Sequence, residues 1–485
     1  MNLLIDPWVP VRQRGEIRRV TYRDILCRDQ DWELCLPRDD MEMACLQMLV
    51  CLTQVLFMPS DADALLQAEQ TLMAESTFDR IAGQRHELFD LFHPKWPFMQ
   101  VRGVKAENDT PIQKLFVGLP EGNNHALFHA RGELERVCPS CAAIALFNQA
   151  SNCPQVGGGF KAPLRGSASI TVMVQGNTLR STIWRNVLSK SFLEARGLPV
   201  VQDDQPVWVK PIQPKQAAHE IGLFRGLFWQ PLRAELCEPA AESAICPACG
   251  IASDRFIRGF RKEKFTYDVI GQWPHPHSPS FWELRKGQRV DRFMSFTVAL
   301  PAWTQLSELL LNQQTDQAGR VPPAAVTQLR DLHGGEELRM AVGGYCNNQA
   351  AILERRHEMV SLARGWGEGL EQVGQVVQRA LAIRDVLHKH CYGFGKQVGI
   401  SAVARSADRL FYQRSERCIH SLLESMDPRQ AIQAIDKMDN ELGILARSIF
   451  EEVLLPYAAD PKGLRALSLA RPRLGASLAK IRKGA

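Results

Sequence analysis

The sequence predicts an α+β protein in two parts: a large mixed domain over residues 1–350 and a C-terminal helical bundle over 351–485. Three observations predict it. Short β-like runs such as Ser169–Gly176 (SITVMVQG) and Arg292–Pro301 (RFMSFTVALP) alternate with Gly-, Pro- and Asn-rich turns through the first part, interrupted by helical stretches. From about 350 onward, AAILERRHEMVSLARGW, EQVGQVVQRALAIRDVLHKHC, ISAVARSADRLFYQRSERCIHSLLESM and RQAIQAIDKMDNELGILARSIFEEVLL all place apolar residues at helical spacing. Finally, 485 residues exceed what one ordinary core holds.

Bulk composition narrows the class. Hydrophobic residues make up 45% and charged residues 23%, which are globular values, and the net charge of +5 is too mild to imply a polyanionic partner by itself. The N-terminus turns polar at once, so no secretory signal is expected and the location is read as cytoplasmic. The most apolar run, Met41–Pro59, is broken by Gln47, Thr53 and Gln54 and is too short to span a bilayer. Asp39 and Glu42 look like a capping pair that opens it as a buried helix. His388–Cys391 (HKHC) reads as a helix end.

The cysteine count is 13, which is odd and argues against a disulfide framework. Four of them differ from the rest. VCPSC holds Cys138 and Cys141, and ICPACG holds Cys246 and Cys249, with Gly250 after them. A two-residue gap lets both thiolates of a tight turn face one ion, so the pairs predict a closed, structural four-cysteine zinc site joining distant segments. Four reduced cysteines that never meet is the competing reading.

Several loops are suited to nucleic acid. Gly157, Gly158 and Gly159 allow close backbone approach, with Lys161 and Arg165 just beyond them. RFIRGFRKEKF interleaves Arg255, Arg258, Arg261, Lys262 and Lys264 with Phe256, Phe260 and Phe265. Phosphate contacts are therefore expected from Lys161, Arg165, Arg258, Arg261 and Lys262; a strand whose phenylalanines face the core is the bland alternative. MAVGGYCNNQAAILERRHE runs from a Gly-Gly pair through Asn347, Asn348 and Gln349 into what reads as a helix, so its amides fit either an N-cap or readout of base edges. His275 and His277 in WPHPHSP could bind a metal or act in catalysis, but the flanking prolines and the lack of a nearby Asp/Glu cluster favour a rigid loop. No G-x-S-x-G, H-E-x-x-H or Walker A signature occurs.

Taken together, NLLIDPWVPV, LPRDDMEMACL, ALFNQA, GGGFK, RGLFWQP, KEKFT, WPHPHSP and GGYCNNQA…ILERRH resemble the large subunit of the type I-E CRISPR Cascade complex, the CasA family. The resemblance extends over essentially the whole chain. It implies a non-catalytic subunit of an RNA-guided antiviral surveillance complex. Such a subunit recognises the protospacer-adjacent motif (PAM) in double-stranded DNA from the minor groove and starts strand separation for R-loop formation. The resemblance assigns motif contact to Gly157, Gly158, Gly159, Lys264, Asn348, Gln349 and Ala350, with Gln349 as the wedge. It assigns contact with the guide RNA and neighbouring subunits to a loop containing Leu127, Phe128 and His129. The implied partners are crRNA, target DNA, the backbone, small and 5′-handle-binding subunits, and a helicase-nuclease; no membrane is involved. The bundle would contact the small subunits and help hold the displaced strand, which suits a tail with Arg465, Arg471, Arg473, Arg482 and Lys483 and no acidic residue after Asp460. Two rival functions stand beside this one: a zinc-dependent nuclease or hydrolase using His275 and His277, and a purely architectural subunit.

Overall fold

The apolar run at Met41–Pro59 folds as the helix Asp39–Leu56 at the centre of the N-terminal core. It is buried on nearly every face, so its interrupting polar residues need internal partners. Thr53 Oγ1 donates to Leu49 O and shares a 2.8 Å hydrogen bond with the Tyr22 hydroxyl. Gln54 exchanges bonds with the backbone of Leu188 at 2.9 and 2.6 Å. The start of the helix differs from the expected capping pair. Arg38 is the N-cap and makes no side-chain cap, while Glu42 reaches back to the Leu36 amide at 3.0 Å.

A computed structural model describes residues 1–118, 134–154, 160–198, 201, 203–296, 300–348, 351–427 and 430–483. It divides into two compact units, one comprising 1–298, 314–332 and 340–358 and the other 299–313, 333–339 and 359–485.

In the first unit, an antiparallel hairpin, Pro7–Gln13 with Glu16–Thr21, turns at Arg14 and Gly15, both at positive φ as a tight two-residue connection requires. The helix Pro139–Ser151 packs beside Asp39–Leu56, with Pro139 in its first turn, where a missing N–H costs nothing. The expected strand at Ser169–Gly176 forms over Thr171–Gln175; of the one expected over Arg292–Pro301, Arg292 and Phe293 end the strand Gln288–Phe293, and 297–299 lie outside the described residues.

The stretch expected to open the bundle is instead a long β-hairpin. Leu338–Asn348 and Ala351–Leu362 are neighbouring strands, and the first also pairs with Thr171–Gln175. ILERRHEMVSL is compatible with either period, because Leu353 and Met359 are exposed while Arg356, Val360 and Leu362 are buried in strand alternation. Pairing with the preceding strand decides the outcome. Gly343 and Gly344, which read as a turn, lie within a strand, where they permit close packing. A Cβ at Gly343 would sit 2.3 Å from Met43 Sδ, and one at Gly344 would sit 3.3 Å from the Phe296 ring.

In the second unit, the helices Leu370–Val398, Val403–Ser425, Ala431–Leu454 and Pro461–Lys483 form the expected bundle. Phe394, Phe411, Ile419, Leu442, Ile449 and Leu474 are among its buried apolar residues. Gly399, at φ +80°, ends the first of these helices in left-handed conformation. His388–Cys391 lies inside that helix rather than at its end: Cys391 is buried, and His388 Nδ1 sits 2.7 Å from Asp408 Oδ2. Among the described residues, no helix is long and apolar enough to cross a membrane.

Gly226 tests how tightly the first unit is packed. An added Cβ there would lie 2.2 Å from the buried Trp273 ring, whereas Gly83, inside an exposed helix, has open space. Gly226→Ala is expected to destabilise by about 1–3 kcal/mol through overpacking. Gly83→Ala is expected to be neutral or to stabilise by up to about 1 kcal/mol through helix propensity. Denaturant unfolding of the two variants checks both signs.

Candidate nucleic-acid interface

Cys138, Cys141, Cys246 and Cys249 meet in one buried cluster, with all four sulfurs within 4.8 Å of one another. Cys138 is the N-cap of the helix Pro139–Ser151. Cys246–Cys249 form the turn of the antiparallel hairpin Ala240–Ile245 and Ala252–Phe256, where Gly250 takes φ +73° and donates its N–H to Cys246 O. The Cys138–Cys249 and Cys141–Cys246 sulfurs are 3.9 and 4.0 Å apart. A tetrahedral ion with Zn–S bonds of about 2.3 Å would set its sulfurs about 3.8 Å apart, so the spacing fits a metal. Hydrogen bonds from Cys138 and Cys141 bring Cys249 down to about 7 and hold Cys246 far below the ordinary thiol range. An Arg19 Nη lies 3.1 Å from Cys138 Sγ and 3.4 Å from Cys249 Sγ, placing a positive charge against the sulfur cluster.

Two segments leave this cluster and come together again. The helix Pro139–Ser151 runs to Cys153 and Pro154, the last described residues before Gly157–Gly159. From the other knuckle, the chain passes through Ala252–Phe256 and Gly259–Glu263 to Lys264. Paired hydrogen bonds between Val137 and Ile257, at 3.0 and 2.9 Å, keep the two segments in register. Phe160, the residue following the glycine triplet, then lies beneath the cations of the second segment. Lys262 Nζ is 5.4 Å and Lys264 Nζ 5.7 Å from its ring centroid, within cation–π range. Lys161 Nζ is 3.2 Å from Asp268 and 5.8 Å from the Tyr267 ring.

The long hairpin is anchored to the same unit. Tyr345 packs with Cys153 and Ala168, against Val117 and Ile352. Its hydroxyl accepts from Asn148 Nδ2 at 2.9 Å and donates to Asp40 Oδ2 at 2.9 Å. Burial pushes the Tyr345 phenol and the Cys153 thiol well above their ordinary ranges, so both stay neutral. Gly118, where the described chain stops before 134, is at φ +84° beside Ile352. The stems of the 119–133 segment, of the glycine loop and of the hairpin therefore share one small cluster.

The remaining predicted residues fall into three groups. Gly157–Gly159, Leu127–His129, Gln349 and Ala350 lie outside the described residues, and Asn348 ends a strand. Arg258 pairs with Glu242 at 2.8 Å and Arg261 with Asp109 at 3.0 Å, both on the surface, where such pairs contribute little and can exchange for a phosphate. Phe256 and Phe260 face the core, as the bland reading has it.

Arg165 is a correction. Its guanidinium is buried and donates to Ser151 O at 2.7 Å, to Thr171 Oγ1 at 2.8 Å, and to Ser278 and Asn152. Burial lowers its pKa to about 10, still charged at neutral pH, and its donors are committed inward, so it closes the base of the 153–164 loop instead of meeting a phosphate. His275 and His277 are buried as well. Burial lowers His277 to about 4, and its Nε2 lies 3.2 Å from Asn186 O. Neither belongs to a metal-binding group among the described residues. Sequence reasoning missed the Tyr345–Asp40–Asn148 network, because no spacing rule links residue 40 to residue 345. The clue available was the run Arg38-Asp39-Asp40 just before an apolar helix.

Comparison with known proteins agrees with this architecture. The family model for CRISPR-associated protein Cse1 matches residues 2–449. A CRISPR-associated protein CasA/Cse1 from Thermus thermophilus is 28% identical over 222 residues, spanning 43% of this chain and 42% of that relative. Crystal structures of Thermobifida fusca Cse1 (TM-score 0.79, 18% identity, covering 100% of this chain and 98% of that one) and Thermus thermophilus CasA (0.76, 18%, 99% of each) share the fold. So does a chain of a CRISPR RNA-guided surveillance complex, at TM-score 0.73 and 16% identity over 98% of this chain and 99% of that one. The chain belongs to the CRISPR-associated Cse1 (CasA) family.

Proposed function

We propose that this chain is the large, non-catalytic subunit of a Cascade surveillance complex, and that it checks a short motif beside a double-stranded DNA target from the minor groove. The observation that carries this reading is the convergence of two cluster-tethered segments. Phe160, next to the glycine triplet, meets Lys264, and the stem of the amide-tipped hairpin packs against Cys153 on the other side of the triplet. The minor groove presents a degenerate set of acceptors, which a lysine and side-chain amides read tolerantly. Glycines admit the sugar-phosphate backbone at close range. Gln349, at the end of a hairpin fixed by its stem, is suited to wedge between the first base pairs. Opening each step costs about 1.4 kcal/mol, which inserted side chains and phosphate contacts offset. Guide RNA then reads the sequence by pairing. By the family resemblance, the 119–133 segment meets crRNA and neighbouring subunits, and the basic tail helix favours an anionic strand. Recruitment of a helicase-nuclease completes the proposed role. A structural zinc in the four-cysteine cluster holds the two segments together.

In a reconstituted complex, Lys264→Ala plus Gln349→Ala is expected to weaken binding to a duplex carrying the permissive motif by about 10–100-fold, given about 1–3 kcal/mol for good base contacts. Binding to a pre-melted target should stay near wild type. Equal binding of wild type and double variant to every target would leave the chain an architectural role only.

Native mass spectrometry of the purified protein is expected to find one zinc, absent in Cys246→Ser, together with a clear drop in melting temperature for that variant. A metal-free protein whose Cys246→Ser variant melts like wild type would show four reduced thiols instead.

A further inference from the structure

Asp40 lies in the first turn of the helix Asp39–Leu56 with its side chain 7% exposed. Its carboxylate gathers groups from distant parts of the first unit. Oδ2 accepts from an Arg38 Nη at 2.7 Å and from the Tyr345 hydroxyl at 2.9 Å. Oδ1 accepts from Arg38 Nε and from the Met41 amide, each at 3.0 Å. An Arg355 Nη stands 3.8 Å from Oδ1, while Arg355 Nε is 3.2 Å from Asp39. Tyr345 and Arg355 belong to opposite strands of the long hairpin. Arg38 also donates to Val117 O at 2.7 Å, just before the 119–133 segment.

We infer that Asp40 is a positioning residue for the interface: its charge ties the Tyr345 strand directly, the Arg355 strand together with Asp39, and, through Arg38, the chain entering 119–133 to the buried helix, so that these parts keep a fixed mutual placement. The carboxylate accepts from the Arg38 guanidinium and the Tyr345 phenol, with a second guanidinium in ion-pair range. An amide in its place offers one acceptor oxygen and turns N–H donors toward the arginines. The structural part of this inference stands on the contacts alone; its consequence for DNA rests on the reading proposed above.

The test uses Asp40→Asn and Tyr345→Phe in the full-length chain within a reconstituted guide complex. Hydrogen-exchange mass spectrometry should show exchange across 340–348 and 352–358 rising by about 10–100-fold in Asp40→Asn, the loss expected for buried charge-assisted hydrogen bonds. Tyr345→Phe should give a smaller rise of about 3–10-fold. The bundle helices should be unchanged. Hairpin exchange within about twofold of wild type, or a rise spread evenly over the whole first unit, overturns the inference; a fold-change that small lies below the loss of even one such bond.

Binding adds a second criterion. Asp40→Asn should lose motif-dependent duplex binding but keep binding to the pre-melted target, and its effect should disappear in a Gln349→Ala background. Additive effects of the two substitutions overturn the coupling. If Gln349→Ala alone leaves motif-dependent binding intact, the reading of the hairpin tip fails, and the exchange result alone decides whether Asp40 positions the hairpin.

Discussion

Four sulfur atoms hold residues 138–141 against 246–249, and both sides of the candidate interface leave from that junction. One strand-to-helix turn leads to the glycine loop and one hairpin leads to Lys264. Without this closure, Phe160 and Lys264 would be separated by the whole intervening chain. With it, one helix on one side and two short strands on the other lead to the pair that meets at cation–π distance. The four-cysteine cluster, which could bind a metal, thus brings the two segments to one place. Arg19, bonded to two of the sulfurs and to Ala252 O, ties the N-terminal hairpin to the same junction.

A second layer of polar contacts places the loops on this frame. Arg165 holds Ser151, Asn152, Thr171 and Ser278 together, and Asp40 with Tyr345 fixes the hairpin stem. These groups are buried and committed, so truncating one partner strands the others, and such losses are costly. The cations on the surface behave differently. Lys161, Arg258 and Arg261 hold exchangeable carboxylate partners, a state from which a phosphate can recruit them. Such committed groups inside and exchangeable pairs outside suit the motif reader proposed above.

Much of this was legible in the sequence. The mixed domain, the bundle helices and the two C-P-x-C turns follow from periodicity and ligand spacing. The hairpin at 338–362 did not, because its apolar residues satisfy helix and strand periods alike and the decisive partner, Thr171–Gln175, lies far away in the chain. Gly343 and Gly344 looked like turn residues, since sequence does not reveal Met43 and Phe296 pressing against them. Arg165 looked like a phosphate ligand because charge is visible in sequence and burial is not. Likewise the RFIRGFRKEKF stretch shows its cations plainly, but only the fold shows that two of its lysines share the ring of Phe160.

The central claim is that the motif is read from the minor groove by Lys264 and the hairpin amides. It is tested most directly by atom-level substitution in the DNA. Binding of the reconstituted complex would be compared for targets whose flanking-motif adenines are replaced by 3-deazaadenine, which lacks the minor-groove acceptor, or by 7-deazaadenine, which lacks the major-groove acceptor. The account predicts weakened binding with the 3-deaza target and unchanged binding with the 7-deaza target, the 3-deaza penalty vanishing in the Lys264→Ala, Gln349→Ala variant. Loss confined to the 7-deaza target would place the contacts in the major groove and contradict it.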